Sequence, residues 1–490
     1  MSAAAETRSR LVPSAYNFFV PTREGPLLFN SASGSVLALE GADGERVAAL
    51  LCAAPPHDLA LAEVLPHDAL ADLHAGGFLV AADSDELATI RERYRNARAE
   101  TPVVLTITTT IDCNLGCYYC YENRSPDALS APDVAAIVSL AAERLRGRKR
   151  LHVDWYGGEP LMNVEFIEAA SSALQSFCAS RDVRYGASVI SNGTCWPEDV
   201  GGFVTRHKLT QVQISFDGLR SNHDRRRRYR AGYAPSPGAS SFDRAVALVD
   251  RLVDHVRVDV RFNIDRGNQA DLLPFLDFAK SRGWFGARHP VTFQPARLSA
   301  YPERSSFVRR RELSVSEYDA LRAGVRRAAR GAFAVDESEA PEGFPRPRTS
   351  VCAALARDSV VVGADRKLYR CGLQVSEPHR SVGDLGPARR SVALPLFGGD
   401  DASWWDGFDP TTRPRCRCCS FLPVCWGGCP KKHLEGDSHA LVEQGAYWRQ
   451  NLARLVGTGV GRSPVEGFEY SEHDQFRYGM PDATVSCAGS

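Results

Sequence analysis

Residues 113–120, CNLGCYYC, place three cysteines on one short stretch directly after the run 103–110, VVLTITTT. The β-branched residues of that run predict a buried strand, so the three thiols lie on the loop that follows it. A closed structural zinc site needs four ligands, and no fourth Cys or His is near in sequence. Three thiolates on one tight loop instead favour a multi-iron cluster in which one iron stays open.

The composition of the 490 residues is that of a soluble globular protein, with 44% hydrophobic and 24% charged residues. Lys+Arg and Asp+Glu are both 59, so the bulk charge does not favour a nucleic-acid partner. No apolar run approaches the ~20 residues that span a bilayer, and residues 1–6 lack the apolar segment of a signal peptide. We therefore expect a cytoplasmic protein without a membrane partner. In that compartment its grouped cysteines serve a metal or catalysis rather than disulfides.

The order of predicted elements divides the chain into six parts. Short strands and then helices predict a small α+β domain at 1–85. Alternating strands and helices from 103 to 300 predict a parallel sheet, open or part of a barrel. The other parts are a linker helix at 86–102, a linker at 301–350, a Cys-rich domain at 351–450 and a tail at 451–490. Strands are predicted at 103–110, 152–156, 187–191, 211–216, 256–264 and 291–294, and helices at 132–146, 165–179, 242–252 and 272–281.

Four polar loops follow the first four of these strands. The thiol loop follows the first, and GGEP at 157–160, SNGT at 191–194 and SFDG at 215–218 follow the others. In parallel α/β folds, ligands gather at the carboxyl ends of the strands. The four loops therefore predict one binding site at that edge of the sheet.

The spacing Cys113-x3-Cys117-x2-Cys120, with an aromatic residue before the last cysteine, resembles the signature of radical S-adenosylmethionine (radical SAM) enzymes. From about residue 103 to 430 the chain is similar to their peptide-modifying branch with a SPASM domain. The resemblance implies an α/β fold with a partial (β/α)6 TIM-like barrel. It also implies a 4Fe–4S cluster whose open iron binds the amino and carboxylate groups of SAM. Cleavage of SAM then yields a 5′-deoxyadenosyl radical that abstracts hydrogen from substrate. A degenerate zinc knuckle is the alternative for the three cysteines.

The same resemblance assigns SAM contacts to the strand-end loops. Glycines at 157 and 158 allow close backbone approach, and a carboxylate at Glu159 suits the SAM ammonium. Asn192-Gly193 also fits an ordinary turn. The implied SAM contacts are Tyr119 (through its backbone), Gly157, Gly158, Glu159, Asn192, Ser215 and Asp217. The sequence identifies no catalytic base.

A second cysteine group, CRCCSFLPVCWGGC at 416–429, resembles the SPASM domain together with two cysteines upstream. Such domains carry one or two auxiliary 4Fe–4S clusters. The family connectivity implies that Cys352, Cys371 and Cys429 hold the first cluster and that Cys416, Cys419 and Cys425 hold the second. A zinc ribbon with four cysteine ligands also fits the 416–429 array.

Three departures from the family pattern concern these clusters. Arg366 stands where a glycine is expected, five residues before Cys371. The final cysteine, expected some twenty residues after Cys429, is absent where Tyr447-Trp448-Arg449 stands. Cys418 is an additional thiol. The candidates for the second cluster's fourth ligand are Cys418 and Cys487, and the first cluster shows three ligands.

Two further segments suggest a substrate. The basic run 223–230, HDRRRRYR, could contact the SAM carboxylate or an acidic peptide. Nucleic acid is disfavoured, because aromatic residues are not interleaved with basic ones over a wider surface. Residues 1–85 resemble the winged-helix element that binds leader peptides in maturases of ribosomal peptides. A structural cap on the next domain is the alternative.

The sequence thus predicts a radical SAM/SPASM maturase that crosslinks a ribosomally made precursor peptide, with ferredoxin or flavodoxin as reductant. One alternative is an anaerobic sulfatase maturase, which forms formylglycine. In that family an aspartate base directly follows the cysteine that matches Cys371, whereas this chain has Gly372. A non-catalytic iron–sulfur electron carrier or zinc scaffold is the alternative from another class.

Overall fold

The computed structural model describes residues 11–41, 67–299, 306–329, 343–386 and 400–476, together with Gly44, Val47 and Leu51. The chain forms two compact units. The first contains residues 1–100, 336–351 and 407–490, and the second contains residues 101–335 and 352–406.

The second unit is built on a nine-stranded sheet. Six strands, β6 to β11, lie side by side in sequence order and run parallel. Strand β12 pairs in parallel with the other edge of β6, and β13 and β14 continue from it antiparallel. The strands are β6 (Val103–Thr110), β7 (Arg150–Gly157), β8 (Arg184–Ser191), β9 (Leu209–Phe216), β10 (Arg257–Ile264), β11 (Thr292–Arg297), β12 (Val360–Val362), β13 (Lys367–Tyr369) and β14 (Gly383–Asp384).

Helices return the chain between these strands and cover the sheet. In Ser241–Leu252, Phe242, Ala245 and Val249 are buried on one face, and the Ser240 hydroxyl caps the first turn. The core lies between this layer and the sheet, where Phe216 packs against Phe275. Numbered after α1 and α2 of the first unit, the helices are α3 (Asp133–Leu145), α4 (Val164–Ser180), α5 (Val200–Arg206), α6 (Arg220–Arg226), α7 (Ser241–Leu252), α8 (Leu272–Ser281), α9 (Val315–Ala329) and α10 (Asp400–Gly407).

The predicted α/β fold with a partial parallel barrel is confirmed. All six predicted strands of the central domain are present, and their ends shift by three residues or fewer. The four predicted helices are present as well. Helices α5 and α6, of seven residues each, were not predicted.

The first unit joins the two ends of the chain in one core. Phe18 of β2 stacks on Phe421 with their ring centroids 4.9 Å apart, and Leu452 and Tyr470 belong to the same buried cluster. The amino-terminal elements are β1 (Leu11–Pro13), β2 (Asn17–Val20), β3 (Leu27–Asn30), β4 (Val36–Ala38), α1 (His67–Ala75), β5 (Leu79–Ala81) and α2 (Glu86–Glu100). The carboxyl-terminal helices are α11 (Pro414–Arg417), α12 (Leu422–Cys425), α13 (Pro430–Leu434), α14 (Ser438–Gly459) and α15 (Glu472–Gln475).

The amino-terminal strands form two small sheets. Strands β2, β3 and β4 form an antiparallel meander, and β1 pairs with β5. Helix α2 packs on the carboxyl-terminal part of the same unit, where the Tyr94 hydroxyl donates to the Phe408 carbonyl oxygen at 2.9 Å. Within the described ranges, no helix combines the length and apolarity needed to cross a membrane.

Arg366, which replaces the expected glycine, lies in the turn between β12 and β13 with φ of +63°. A side chain in this left-handed region costs about 1–2 kcal/mol, which explains why the family pattern has glycine here. The guanidinium forms two hydrogen bonds with the Asp133 carboxylate, at 2.8 and 2.9 Å. This half-exposed ion pair offsets part of the backbone strain.

We expect Arg366→Ala to lower the free energy of unfolding by about 0.5–1 kcal/mol, because it keeps the strain and loses the ion pair. Arg366→Gly also loses the ion pair but removes the strain, so its stability stays close to that of wild type. Urea denaturation of both variants measures the difference. Equal stabilities of the alanine and glycine variants would contradict this account.

Candidate active site

The thiol loop 113–120 leaves the carboxyl end of β6 and is fixed by the protein around it. Cys113 is buried, and its sulfur accepts hydrogen bonds from the Leu115 backbone N–H at 3.4 Å and the Asn192 amide at 3.7 Å. Burial raises the pKa of the Cys120 thiol to about 12. A thiolate bound to iron carries negative charge that such N–H donors stabilise. The three thiols and their donors therefore fit an iron–sulfur cluster.

The two glycines after β7 pass directly against the residues that precede the thiol loop. Gly158 N donates to Thr110 O at 3.0 Å, and Glu159 N donates to Asp112 O at 2.9 Å. A Cβ atom on Gly158 would lie 2.2 Å from the Asp112 carbonyl oxygen, and one on Gly157 would lie 2.2 Å from that of Thr110. This spacing requires glycine at both positions.

Glu159 connects the ends of β7 and β8. Its fully buried carboxylate accepts from the Asn192 backbone N–H at 2.7 Å and from the Ser191 hydroxyl at 2.9 Å. Burial raises the pKa of this carboxyl to about 7. The Asn192 amide in turn donates to Asn114 Oδ1 at 2.9 Å. The structure thus brings the predicted residues of the first three strand ends together.

Ser215 and Asp217 lie at the carboxyl end of β9, and their surroundings differ. Ser215 pairs with Arg261 of β10 and is half-buried. Asp217 is fully buried, and its carboxylate accepts from the Tyr119 hydroxyl at 2.7 Å and from Arg226 Nε at 2.9 Å. The carboxylate of Asp217 and the phenol of Tyr119 are therefore already engaged within the protein.

The basic run folds back along the thiol loop. Gly116 N donates to Arg228 O at 2.8 Å, and Arg230 N donates to Asn114 O at 3.0 Å. Between these bonds, Leu115 and Tyr229 form an antiparallel bridge. The backbone of the basic run therefore holds the loop that carries the three cysteines in place through these hydrogen bonds.

Two arginines of the run are buried in ion pairs. Arg226 contacts Asp217 and also Asp265, with Nη1 to Oδ1 at 3.0 Å, and these side chains are 3% exposed or less. The guanidinium of Arg227 donates to the Tyr119 hydroxyl at 2.7 Å. That of Arg226 lies over the Tyr118 ring, 5.1 Å from its centroid. Both tyrosines of the thiol loop therefore contact this network.

Two buried acids beside the site were not among the predicted residues. Asp265 directly follows β10. Its position as a polar residue after the fifth predicted strand could have identified it from the sequence. Glu122 lies two residues after Cys120, and burial raises its pKa to about 7. An acid directly behind the cysteine signature was the signal there.

In the second unit, Arg370 joins the loops that carry Cys352 and Cys371. Its Nε donates to Ala354 O at 3.0 Å, and its Nη2 donates to Ala356 O at 3.2 Å. Both carbonyls belong to the turn after Cys352, and Arg370 directly precedes Cys371. The two loops are therefore close to one another.

The loop after Cys371 also lies beside the thiol loop and the glycine segment. A Cβ atom on Gly372 would lie 3.7 Å from the Tyr156 ring, directly before Gly157. The Asn123 backbone N–H donates to Ser376 Oγ at 3.0 Å. This part of the Cys-rich region thus borders the predicted SAM site.

In the first unit, Cys416, Cys419 and Cys425 line one cavity of 130 Å³. Cys418 lines a different cavity, and Cys429 is exposed. Cys487 lies outside the described residues. The three cysteines expected to share the second cluster therefore line one cavity, and Cys418 and Cys429 do not line it.

Gly427 passes close to the cavity thiols, since a Cβ atom on it would lie 3.5 Å from Cys416 Sγ. Burial raises the pKa of the Cys425 thiol. Within the described ranges, no three His, Cys, Asp or Glu side chains are placed to hold a single metal ion. In an iron–sulfur cluster each thiolate binds a separate iron, so the thiols need not converge on one point.

Residues 107–279 match the model of the Radical SAM superfamily. The match runs from β6 to α8 and includes the thiol loop, the glycine segment and the loops after β8 and β9. This part of the chain is therefore a radical SAM domain, and members of that superfamily use SAM and a 4Fe–4S cluster.

Its relatives include enzymes that modify proteins and peptides. The chain is 25% identical over 353 residues to a serine-type anaerobic sulfatase-maturating enzyme of Klebsiella aerogenes, covering 69% of this chain and 81% of that protein. It is 26% identical over 204 residues to mycofactocin maturase MftC of Mycolicibacterium smegmatis, covering 41% of this chain and 45% of that protein. The solved structure of native anSMEcpe with bound AdoMet is similar in fold, with a TM-score of 0.53 and 16% identity, over 74% of this chain and all of that one.

We expect Arg226→Leu to destabilise the second unit by about 3–5 kcal/mol, because Asp217 and Asp265 would then be buried without their shared counter-charge. Displacement of Asp217 would also release Tyr119 and loosen the thiol loop. Thermal unfolding and iron content after reconstitution measure both effects. Arg225→Ala is the matched control, since Arg225 is the exposed neighbour in the same helix. Wild-type stability and iron content in Arg226→Leu would contradict the role of the ion pairs.

Proposed function

We propose that this protein is a radical SAM peptide maturase that installs a thioether or carbon–carbon crosslink in a ribosomally synthesised precursor peptide. The main support is the convergence of the thiol loop, Gly157–Glu159 and Asn192 at one edge of the parallel sheet. Within this proposal, the cluster and SAM supply the 5′-deoxyadenosyl radical that abstracts hydrogen from the peptide.

The protein's own residues would bind SAM and exclude water. Backbone groups of Gly157 and Gly158 border the site without side chains, and we assign Glu159 to the SAM ammonium. Ser215 is assigned to the SAM ribose or carboxylate. Asp217 would act at the same place by fixing Tyr119, whose backbone faces the adenine in this proposal. Burial of these groups strengthens each electrostatic contact with SAM.

One or two auxiliary 4Fe–4S clusters complete the proposed enzyme. They would take up the electron left after crosslinking or bind a substrate thiolate, and ferredoxin or flavodoxin would supply the reducing electron. The separate cavity of the 416, 419 and 425 thiols and the Arg370 contacts support two sites rather than one. We assign Cys352, Cys371 and Cys429 to the first cluster and Cys416, Cys419 and Cys425 to the second.

The amino-terminal part of the first unit is the proposed leader-binding element. The meander β2–β3–β4 followed by α1 has the order of strands and helix that the winged-helix resemblance implies. Among the described strands, β4 lies at the edge of its sheet, and an edge of this kind can pair with an extended peptide. We propose a cytoplasmic enzyme whose macromolecular partners are peptide and reductant, not nucleic acid or membrane.

We expect the anaerobically reconstituted protein to hold about eight to twelve iron atoms per chain and to form 5′-deoxyadenosine from SAM and a reductant. Co-expression with a short peptide encoded beside this gene should yield a product lighter by two hydrogen atoms, measured by mass spectrometry. Replacing Cys113, Cys117 and Cys120 together by alanine is the control and should abolish both products. A protein that binds iron but shows no spectral change with SAM would instead be an electron carrier.

The sulfatase-maturase function is the second candidate, because the alignment with the Klebsiella enzyme covers 69% of this chain. Gly372 speaks against it, since the residue has no carboxylate to act as the base of that reaction. We therefore expect no aldehyde when the enzyme is incubated with SAM, reductant and a sulfatase peptide that contains serine or cysteine. Hydrazide labelling of the peptide detects the aldehyde, and a labelled product would reverse the order of the two functions.

A further inference from the structure

The carboxyl-terminal segment returns to the cavity of Cys416, Cys419 and Cys425. The Ser420 backbone N–H donates to the Gln475 carbonyl oxygen at 2.8 Å, and the Gln475 side chain lines the cavity. Gln475 is 6% exposed. A polar tail of no evident sequence pattern thus supplies a buried amide beside three thiols.

The orientation of this amide follows from Arg449. A guanidinium has only donors, so its Nη1, 2.6 Å from the side chain of Gln475, must contact the amide oxygen. The amide nitrogen therefore faces the other way, toward Cys419 Sγ at 3.8 Å. The Arg449 guanidinium thus orients the Gln475 amide so that its N–H group points toward the Cys419 sulfur.

A second N–H donor lies where the family pattern has its last cysteine. Trp448 lines the same cavity, and its buried indole nitrogen has no conventional hydrogen-bond acceptor among the described residues. Cys425 lines this cavity as well. Arg449 of the segment Tyr447-Trp448-Arg449 thus acts on the Cys419 sulfur through Gln475, where the family pattern has a thiolate.

We propose that Gln475 is a positioning residue for the second auxiliary cluster, donating a hydrogen bond to the Cys419 thiolate and raising the reduction potential of that cluster. This inference rests on the proposed cluster at Cys416, Cys419 and Cys425. Reduction adds negative charge that spreads onto the thiolate sulfurs, so an N–H donor stabilises the reduced state more than the oxidised one. Arg449 fixes the amide in the orientation that gives this effect.

Two substitutions remove the hydrogen bond in different ways. Gln475→Leu deletes the amide. Gly445→Ala keeps it but places a Cβ atom 2.8 Å from its nitrogen, which pushes the donor away from the sulfur. Alanine also has a higher helix propensity than glycine, so this variant does not weaken helix α14 itself. The matched control is Gly457→Ala in the same helix, where the added Cβ makes only ordinary contacts of 3.5 Å or longer.

Redox titration of the reconstituted full-length protein, followed by electron paramagnetic resonance, measures the potentials. The signal of the second auxiliary cluster is the one that disappears when Cys416, Cys419 and Cys425 are replaced together by alanine. We expect Gln475→Leu and Gly445→Ala to make its potential more negative at unchanged iron content, and Gly457→Ala to leave it unchanged. A wild-type potential in both variants at full iron content overturns the inference alone. Absence of any signal that depends on the three cysteines overturns the inference together with the proposed second cluster.

Discussion

The buried ion pairs of Arg226 hold the candidate site together. A guanidinium and two carboxylates can be removed from water only when they compensate one another, and Asp217 and Asp265 do so from the ends of β9 and β10. The rings of Tyr118 and Tyr119 cover the same charges, so the thiol loop is attached to two strand ends of the sheet. The basic run, for which the sequence suggested contact with the SAM carboxylate or an acidic peptide, thus contributes a buried ion pair within the protein.

The other strand ends are joined by backbone contacts and by the Glu159 carboxylate. Gly157 and Gly158 allow backbone to meet backbone, and Glu159 distributes its two oxygens between its own segment and the next strand end. A buried carboxylate is tolerated there because three N–H or O–H donors surround it. Close backbone packing thus fixes the part of the site around Gly157 and Gly158, and ion pairs fix the part around Arg226.

Local patterns were sufficient to predict the parallel strands β6 to β11, because a buried strand or an amphipathic helix shows its periodicity within about ten residues. The short strands β12, β13 and β14 were not predicted. Helix α6 was not predictable in this way, since its buried residues, His223 and Arg226, are polar, and Arg226 is paired with Asp217 and Asp265 just after β9 and β10. The ion pair between Asp217 and Arg226 could not be predicted either, because their proximity depends on how the chain returns after β9. Gln475 lies in a tail without periodicity, and only the folded chain places it against Cys419. The spacing of the cysteines predicted two groups, whereas the separation of Cys418 from Cys416, Cys419 and Cys425 is visible only in the cavities of the folded chain.

The shared core of the first unit limits how such proteins can exchange parts. Phe18 and Phe29 of the amino-terminal strands are buried in the same cluster as Phe421 and Leu452 near the cysteine array. A hybrid protein that takes the first hundred residues from another source must therefore also take the matching carboxyl-terminal helices. We therefore expect substitutions in the amino-terminal strands to be accompanied by compensating substitutions in the carboxyl-terminal helices that pack against them.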